Sequence, residues 1–402
     1  MNQTDIKNLS GVKQIEKTKT VVLARKSETF PVYRVPLKYL YYNDQNDRIS
    51  TEIVRYCTEN NRELPTDREE YNQIFEDLVV KSKEDAIVKT QRSIATRGQD
   101  NPGVTLKDGR VVDGNRRFTC LRRIQKETNQ EQFFETIILD YDYKNDYKYI
   151  KSLELELQMG VDEKVKYDPI DRLFGVYKSI RIEKAFTVEE YAALFDDYSV
   201  TDVKRDLALA DLMCEYLEFQ GTPGKYYIAK DMDLEGTLHE IPAILEKVKK
   251  KNPDLVDDVK LRIFASISAG VSTRLNLFMR DIKDVVDNGD LEKYLNDTEE
   301  VVGETIKVLE ESPIQNYNDL ADGIRQREDI KEKLTSPVNT QKKAVDSKKL
   351  KRAPIKYSKD ALSTLNAIHT DSIMEMSDDD RQELIRLLNQ LEDKLSEIRG
   401  KL

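Results

Sequence analysis

The chain has 402 residues and a formal net charge of −10, with 35% charged and 39% hydrophobic residues. This composition fits a water-soluble chain of two or three packed domains and argues against a disordered or membrane protein, so we expect no membrane partner. Three cysteines and two histidines are scattered along the chain, and we therefore expect no structural zinc. The first ten residues are polar and lack the apolar core of a secretion signal, which predicts a cytoplasmic protein.

The negative charge is unevenly distributed. Residues 89–123 carry nine basic and three acidic residues, a net charge of +6, and residues 342–359 carry eight basic residues and one acid, a net charge of +7. The remainder of the chain therefore carries −23. An acidic total thus does not exclude a nucleotide or nucleic acid as a partner, because either cationic island could meet phosphate.

In chain order, residues 1–29 are polar and irregular apart from a short β-like run at residues 21–24, and they are predicted to form an N-terminal extension. Residues 30–40 (FPVYRVPLKYL) alternate apolar and polar side chains, which predicts a strand. Residues 50–89 have a helical period that is interrupted near Pro65. The next helical stretch, QRSIATRG, ends at Gly98, a residue suited to a left-handed helix cap.

The following segment is predicted to be a compact strand and helix unit. The runs VTL and VVD flank an Asp-Gly turn, which favours a β-hairpin. Gly114 then leads into the helical pattern RRFTCLRRIQKE, and ETIILDYD predicts a further strand. Residues 30–146 are therefore predicted to form one α+β domain.

Beyond residue 147 the pattern is helical. We predict helical regions over residues 147–222 and 223–334, a basic linker over 335–359 where periodicity fails, and a helical association element over 360–402. The last helix begins at Ser377, a capping residue. Its apolar residues follow a short coiled-coil spacing, which indicates either a homodimer contact or a helix that packs back on its own domain. These residues are Leu384, Leu388, Leu391, Leu395 and Ile398.

Four short motifs stand out in the first domain: NDR at 46–48, SI at 93–94, GQDNP at 98–102 and VVDGNRRFTCLRRI at 111–124. Gly114 permits a tight strand-to-helix turn, and Arg116 and Arg117 fall in the first turn of the helix. Free backbone N–H groups and two guanidinium groups would then face the same space, which predicts a phosphate site with the GQDNP loop as its opposite wall. The alternative is a pair of surface arginines that offset acidic neighbours. The predicted nucleotide or phosphate ligands are Gly98, Gln99, Asn101, Pro102, Gly114, Asn115, Arg116 and Arg117.

This order of motifs resembles the N-terminal domain of the ParB and sulfiredoxin superfamily, whose ParB members carry a G-x-x-Q-P loop and a G-E-R-R-x-R-A motif. The resemblance implies a nucleotide, CTP or ATP with Mg²⁺, at these loops. Asn115 stands where ParB proteins have glutamate and sulfiredoxin has its reactive cysteine, which argues against peroxiredoxin repair. A second ParB motif, E-N-x-Q-R, aligns with residues 155–159, where only the glutamine and an offset carboxylate, Glu156, are kept. Glu156 and Asp113, the carboxylate beside the arginine pair, are the possible metal ligands.

The resemblance extends into a ParB-type helix-turn-helix region. Thr187 with Glu190 predicts a capping box, and residues 199–212 fit the second helix of the motif. The implied DNA contacts are Ser199, Thr201, Lys204 and Arg205. Two acids, Asp202 and Asp206, oppose the two cations, so the alternative is a helix pair kept for packing or protein contact.

Three classes of function follow from these observations. The leading hypothesis is a nucleotide-responsive DNA-binding or partition-type regulator. The second is a nuclease or nucleoside triphosphatase with a ParB-like domain, for which Asp113 and Asp108 are the local carboxylates available to a metal ion. The third is an adaptor that binds a protein partner through its acidic helical region.

Overall fold

The computed structural model describes residues 5–23, 26–82, 84–143, 145–159 and 168–402. The chain divides into two compact units, Met1–Val338 and Asn339–Leu402. No helix within the described ranges is long and apolar enough to cross a membrane.

Within the described part of the first unit, six strands form one mixed sheet in the order β1-β2-β6-β4-β5-β3. The strands are β1 (Lys13–Leu23), β2 (Lys26–Pro36), β3 (Tyr41–Tyr42), β4 (Gly103–Leu106), β5 (Arg110–Asp113) and β6 (Phe133–Leu139). Neighbouring strands pair antiparallel except β4 with β6 and β3 with β5, which are parallel. The predicted β4–β5 hairpin and the strand at β6 are confirmed.

The expectation of irregular structure over residues 1–29 is wrong, because β1 pairs along β2. β1 is an edge strand rich in lysine and threonine, and its polar side chains are largely exposed. Edge strands commonly carry charged residues that prevent association with other sheets, so a polar sequence is compatible with a strand in this position.

Five helices accompany the sheet: α1 (Ser50–Glu59), α2 (Arg68–Ser82), α3 (Glu84–Arg97), α4 (Asn115–Thr128) and α5 (Tyr147–Met159). Tyr42, Phe75, Phe118 and Phe134 are fully buried between the sheet and these helices. The rings of Tyr42 and Phe118 lie 4.8 Å apart, centre to centre, and Phe118 reaches Phe134 at 6.0 Å. This aromatic core fixes α4 against β6, and α4 is the helix that begins with the Asn-Arg-Arg motif.

The remaining described residues contain no strand, which confirms the predicted helical region. The helices are α6 (Pro169–Tyr177), α7 (Val188–Ala192), α8 (Val200–Phe219), α9 (Tyr226–Asp231), α10 (Glu235–Lys251), α11 (Val256–Ala269), α12 (Leu275–Asn288), α13 (Leu291–Glu311), α14 (Tyr317–Asp322), α15 (Glu328–Asn366), α16 (Thr370–Met374) and α17 (Asp378–Arg399). The largest apolar core lies among α8 and α10 to α13. A short π-helical segment, Lys178–Ile182, follows α6.

The prediction of an irregular linker over residues 335–359 is wrong, since the segment lies inside α15. Two prolines, Pro337 and Pro354, hide the helix in the sequence, and its apolar stripe is short: Val338 and Val345 are buried, whereas residues 346–359 include no buried residue. The segment is nevertheless rich in Lys, which favours helix where no core selects a face.

The C-terminal helix α17 begins as predicted, with the Ser377 hydroxyl accepting the N–H of Asp380 at 3.2 Å. Its apolar residues are exposed within the second unit, for example Leu388 and Leu391 at 41% each. The homodimer contact through this face stays a prediction.

Candidate functional site

A cleft of about 700 Å³ opens beside the β5–α4 turn. One wall is formed by the turn itself and by Asn101. The opposite wall, called the far wall below, is formed by the loop and helix at residues 46–55 and by four charged residues, Asp168, Asp171, Lys230 and Asp231. The cleft therefore lies between the sheet layer and the helices α6 and α9 of the same unit. It contains four of the eight predicted phosphate ligands in close sequence order, Gly114 to Arg117, and Asn101 as a fifth.

Gly114 makes the turn into α4 possible. Its φ of +101° is strained for any residue with a Cβ, and a Cβ there would lie 2.8 Å from Cζ of buried Phe134. No side chain caps the N-terminus of α4. Its first N–H groups, which have no partner inside the helix, therefore lie at the cleft with the positive end of the helix dipole.

Arg117 locks two loops together. Its guanidinium donates to the carbonyl oxygen of Asn101 and, at 3.0 Å, to Asp113 Oδ2. Lys19 Nζ donates to the carbonyl of Pro102 at 2.6 Å and lies 3.2 Å from Asp113 Oδ2. Burial lowers the pKa of Lys19, and Asp113 partly offsets this effect. Arg117 thus contributes a cation to the cleft wall while it also holds the GQDNP loop beside the turn.

Asn115 and Arg116 are half-buried residues of the cleft wall. The side-chain oxygen of Asn115 is buried and accepts no hydrogen bond from the residues that the structure describes. A buried acceptor of this kind needs a donor, which a bound ligand could supply as an N–H or O–H group. Cys120, one turn further along α4, is fully buried, and burial raises the pKa of its thiol to about 11. The thiol is therefore a core group and not a nucleophile.

The structure gives Gln99 a different position from the predicted ligand. Its Nε2 donates to the carbonyls of Asn101 at 3.0 Å and Glu135 at 2.6 Å, and its Oε1 accepts the Glu135 N–H at 2.9 Å. The two bonds to Glu135 tie the GQDNP loop to β6, and the bond to Asn101 lies within the loop. Gln99, Gly98 and Pro102 do not line the cleft, so these three residues shape the loop behind Asn101.

The sequence analysis missed the far wall of the cleft. Asp171 accepts from Thr51 Oγ1 at 2.5 Å and from Lys230 Nζ at 2.8 Å, and Arg55 lies between Glu52 and Asp231 at 3.3 and 2.6 Å. Burial raises the pKa of Asp171 to about 6, although Lys230 and Thr51 act in the opposite direction. Helical periodicity gave no signal for these side chains, because they come from three distant helices.

A buried ionic cluster supports the NDR loop, which supplies Asn46 and Arg48 to the cleft. Lys151 is 1% exposed and its Nζ donates to Asp47 Oδ1 and to the Gln45 carbonyl, both at 2.8 Å. Glu154 lies 3.5 Å from the same Nζ, and burial raises its pKa to about 7 despite that lysine. A single buried amine thus fixes the loop onto α5.

The described residues do not bring the two predicted metal ligands, Asp113 and Glu156, together in the cleft. Asp113 is held by Lys19 and Arg117, and Glu156, on α5, is not part of the cleft wall. Across the described ranges, no group of three or more His, Cys, Asp or Glu side chains could hold a metal ion. Asp108, the other carboxylate considered for a nuclease, accepts from the Tyr41 hydroxyl and from the Arg110 N–H. Nothing is described for the side chains of Gln158 and Met159, so that part of the E-N-x-Q-R comparison lies outside the described residues.

The predicted DNA contacts lie together at the start of α8. The capping box at Thr187 and Glu190 is confirmed, and Ser199 forms a second one with Asp202. Thr201 and Lys204 are exposed, whereas Arg205 pairs with Asp202 at 2.9 Å and with buried Asp206 at 3.3 Å. Much of the positive charge of this end is therefore neutralised, and DNA contact here stays a prediction.

Comparisons with known proteins add little. No protein-family model matches the sequence, and no curated protein matches it. A Pnob8-like ParB-N domain of known structure is similar to the chain at 14% identity and a TM-score of 0.29, with 79% of this chain and all of that domain covered. A similarity this low does not establish a shared fold. The chain therefore consists of a mixed α/β sheet unit followed by helices, and its ParB-like character remains a prediction from the motifs.

Proposed function

We propose that the protein binds a nucleotide, CTP or ATP, in the cleft at the N-terminus of α4. The observation that carries the proposal is that Gly114, Asn115 and Arg116 line a single cleft with uncapped N–H groups at its wall. A helix N-terminus and a guanidinium group together favour a phosphate group. Such a group would sit beside Arg116 and in the field of Arg117.

The rest of the cleft favours more than a free phosphate. Ligand clefts typically measure about 300–1,000 Å³, and the volume of about 700 Å³ greatly exceeds what a phosphate needs. The far wall carries Glu52 and Asp171. Their carboxylates are paired with Arg55 and Lys230, and a carboxylate has about four acceptor positions, so a hydroxyl or amino group can still donate to them. The buried oxygen of Asn115 is a further acceptor. A sugar or base supplies donors of this kind, whereas inorganic phosphate at neutral pH supplies few.

Mg²⁺ would arrive with the nucleotide phosphates, since the described residues do not form a metal site of their own. We assign no reaction step to the metal. The nuclease alternative receives no support from Asp108 and Asp113, because hydrogen-bond donors or cations already hold both carboxylates.

Equilibrium binding of labelled CTP and ATP, with and without Mg²⁺, tests the proposal. Arg116→Ala should weaken binding by about 10- to 100-fold, the loss expected for one charge-assisted hydrogen bond. Arg123→Ala is the matched control, because Arg123 lies on the same helix outside the cleft wall, and it should bind as the wild type does. A wild type that binds neither nucleotide would contradict the proposal. If inorganic phosphate bound as tightly as CTP and ATP, the far wall would make no contact that contributes to nucleotide affinity.

We further propose that nucleotide binding regulates contact with DNA, as in a partition-type regulator. The support is the exposed, polar start of α8, with Thr201 and Lys204 on its surface. It follows α7, which begins with the predicted capping box of Thr187 and Glu190. Titration of a labelled duplex with and without nucleotide tests this step. Duplex binding that is indifferent to CTP and ATP would contradict it, and an adaptor role would then be favoured.

A further inference from the structure

The middle of α15 carries an exposed cationic face. Lys348, Lys351, Arg352, Lys356 and Lys359 are all exposed, and this set is called the α15 basic face below. Among the described residues, none of these five side chains makes an ion pair or a hydrogen bond through its charged group. This distinguishes them from Arg205 on α8, whose charge is matched by two acids.

The five cations are arranged along one side of the helix. Lys348, Arg352, Lys356 and Lys359 are spaced by four, four and three residues, so at about 100° per residue they lie within about 80° of one another. Lys351 lies about 60° to one side of Lys348. From Lys348 to Lys359 the helix rises about 17 Å, at about 1.5 Å per residue.

We propose that the α15 basic face binds the phosphate backbone of double-stranded DNA without reading its sequence. One strand of a duplex presents a phosphate about every 3.4 Å along the axis, so about five phosphates span the same 17 Å as the five cations. Unpaired cations also suit such a partner, because each can displace a counterion from DNA without first breaking an ion pair. This surface is separate from the nucleotide cleft and does not depend on it.

An acidic membrane surface is a less suitable partner. A helix that lies on a bilayer needs a continuous apolar face opposite its basic one. In α15 the large exposed apolar residues are split between two sides: Leu350 and Tyr357 lie opposite the basic face, and Ile355 and Leu362 lie within it or at its edge. The charge pattern therefore favours a polyanion that needs no apolar insertion.

The test is the salt dependence of binding to a labelled 30-base-pair duplex of arbitrary sequence, measured with the full chain by fluorescence anisotropy. The slope of log K against log salt is about −0.9 per phosphate neutralised. Five contacts predict a slope near −4.5, or a loss of affinity of about 500-fold between 50 and 200 mM salt. Replacing Arg352, Lys356 and Lys359 by Gln should make the slope shallower by about 2.7, which leaves a loss of about 12-fold.

The matched control is the triple replacement of Arg386, Lys394 and Lys401 by Gln. It removes the same charge from exposed residues of the same unit, but these three are paired with Glu383 and Glu397. Its slope should stay within about 1 of the wild type. Equal effects of the two triples, or no effect of the first, would overturn the proposal. So would binding to phosphatidylserine vesicles that the first triple abolishes while duplex binding is unchanged. Circular dichroism checks that both variants keep the helix content of the wild type.

Discussion

Replacement of Gly114 by alanine tests the turn on which the cleft depends. A residue with a Cβ at φ +101° carries strain of about 1–2 kcal/mol. The new Cβ would also lie 2.8 Å from Phe134 Cζ and 3.1 Å from Arg117 Nη2. Phe134 is fully buried and has no space to withdraw. Forcing one carbon into such a core costs about 1–3 kcal/mol, so Gly114→Ala should destabilise this region by about 2–5 kcal/mol.

Gly98→Ala is the matched control for this prediction. Gly98 also has positive φ, +79°, but a Cβ there meets nothing within 4 Å. Its cost should therefore be the strain alone, about 1–2 kcal/mol. Hydrogen exchange of amides in β5 and α4 is the suitable assay, because a chain with several cores need not unfold in one step. If Gly114→Ala is no more destabilising than Gly98→Ala, the packing of Phe134 against the turn is refuted.

Two further predictions concern the residues around the cleft. Gln99→Ala removes two hydrogen bonds between the GQDNP loop and β6 and one within the loop. It should destabilise the loop by about 2–3 kcal/mol, seen as faster exchange of the Glu135 amide, and unchanged exchange would contradict the anchoring role. For Asp171, the pKa is about 6 in the folded chain against an ordinary 3.8, so its contribution to stability is greatest at low pH and is lost as pH rises through 6. We expect the free energy of unfolding of the wild type, measured in urea and relative to that of Asp171→Asn, to fall by up to about 3 kcal/mol between pH 4 and 7. A difference between the two proteins that does not change with pH would contradict the burial of this carboxyl.

Much of the local structure could be predicted, because short-range chemistry decides it. The Asp-Gly pair placed the β4–β5 hairpin, and Gly114 placed the start of α4. Thr187 and Ser377 each begin a helix as capping residues. In each case the signal and the structure lie within a few residues of one another.

Two predictions failed because the apolar pattern of each segment is short and most of its side chains are polar and exposed. β1 is a polar edge strand, and its partner β2 is what makes it a strand. In the segment 335–359 the buried apolar residues end at Val345, and the rest of the segment is helical without an apolar stripe, so its sequence shows no helical period. The same exposure that hid this helix leaves the α15 basic face accessible.

The candidate site was only half predictable. The motif residues Asn115 to Arg117 are adjacent in the sequence and stay adjacent at the cleft. The sequence did not show that the motif residues have different roles. Arg117 donates its hydrogen bonds to Asn101 and Asp113, and Gln99 donates to the backbone of β6, so both residues hold the loop in place.

The sequence by itself therefore determined a glycine turn, an arginine pair at a helix start and the succession of helices, because each depends on neighbouring residues. Only the tertiary structure decided that Asp171 and Lys230 face that turn across one cleft, since residues more than fifty positions apart meet through packing alone. It also decided which cations are already paired and which remain exposed, as the contrast between Arg205 and Lys356 shows. A sequence gives the number of basic residues, but whether a basic side chain can bind a ligand depends on which acidic side chains the fold places beside it.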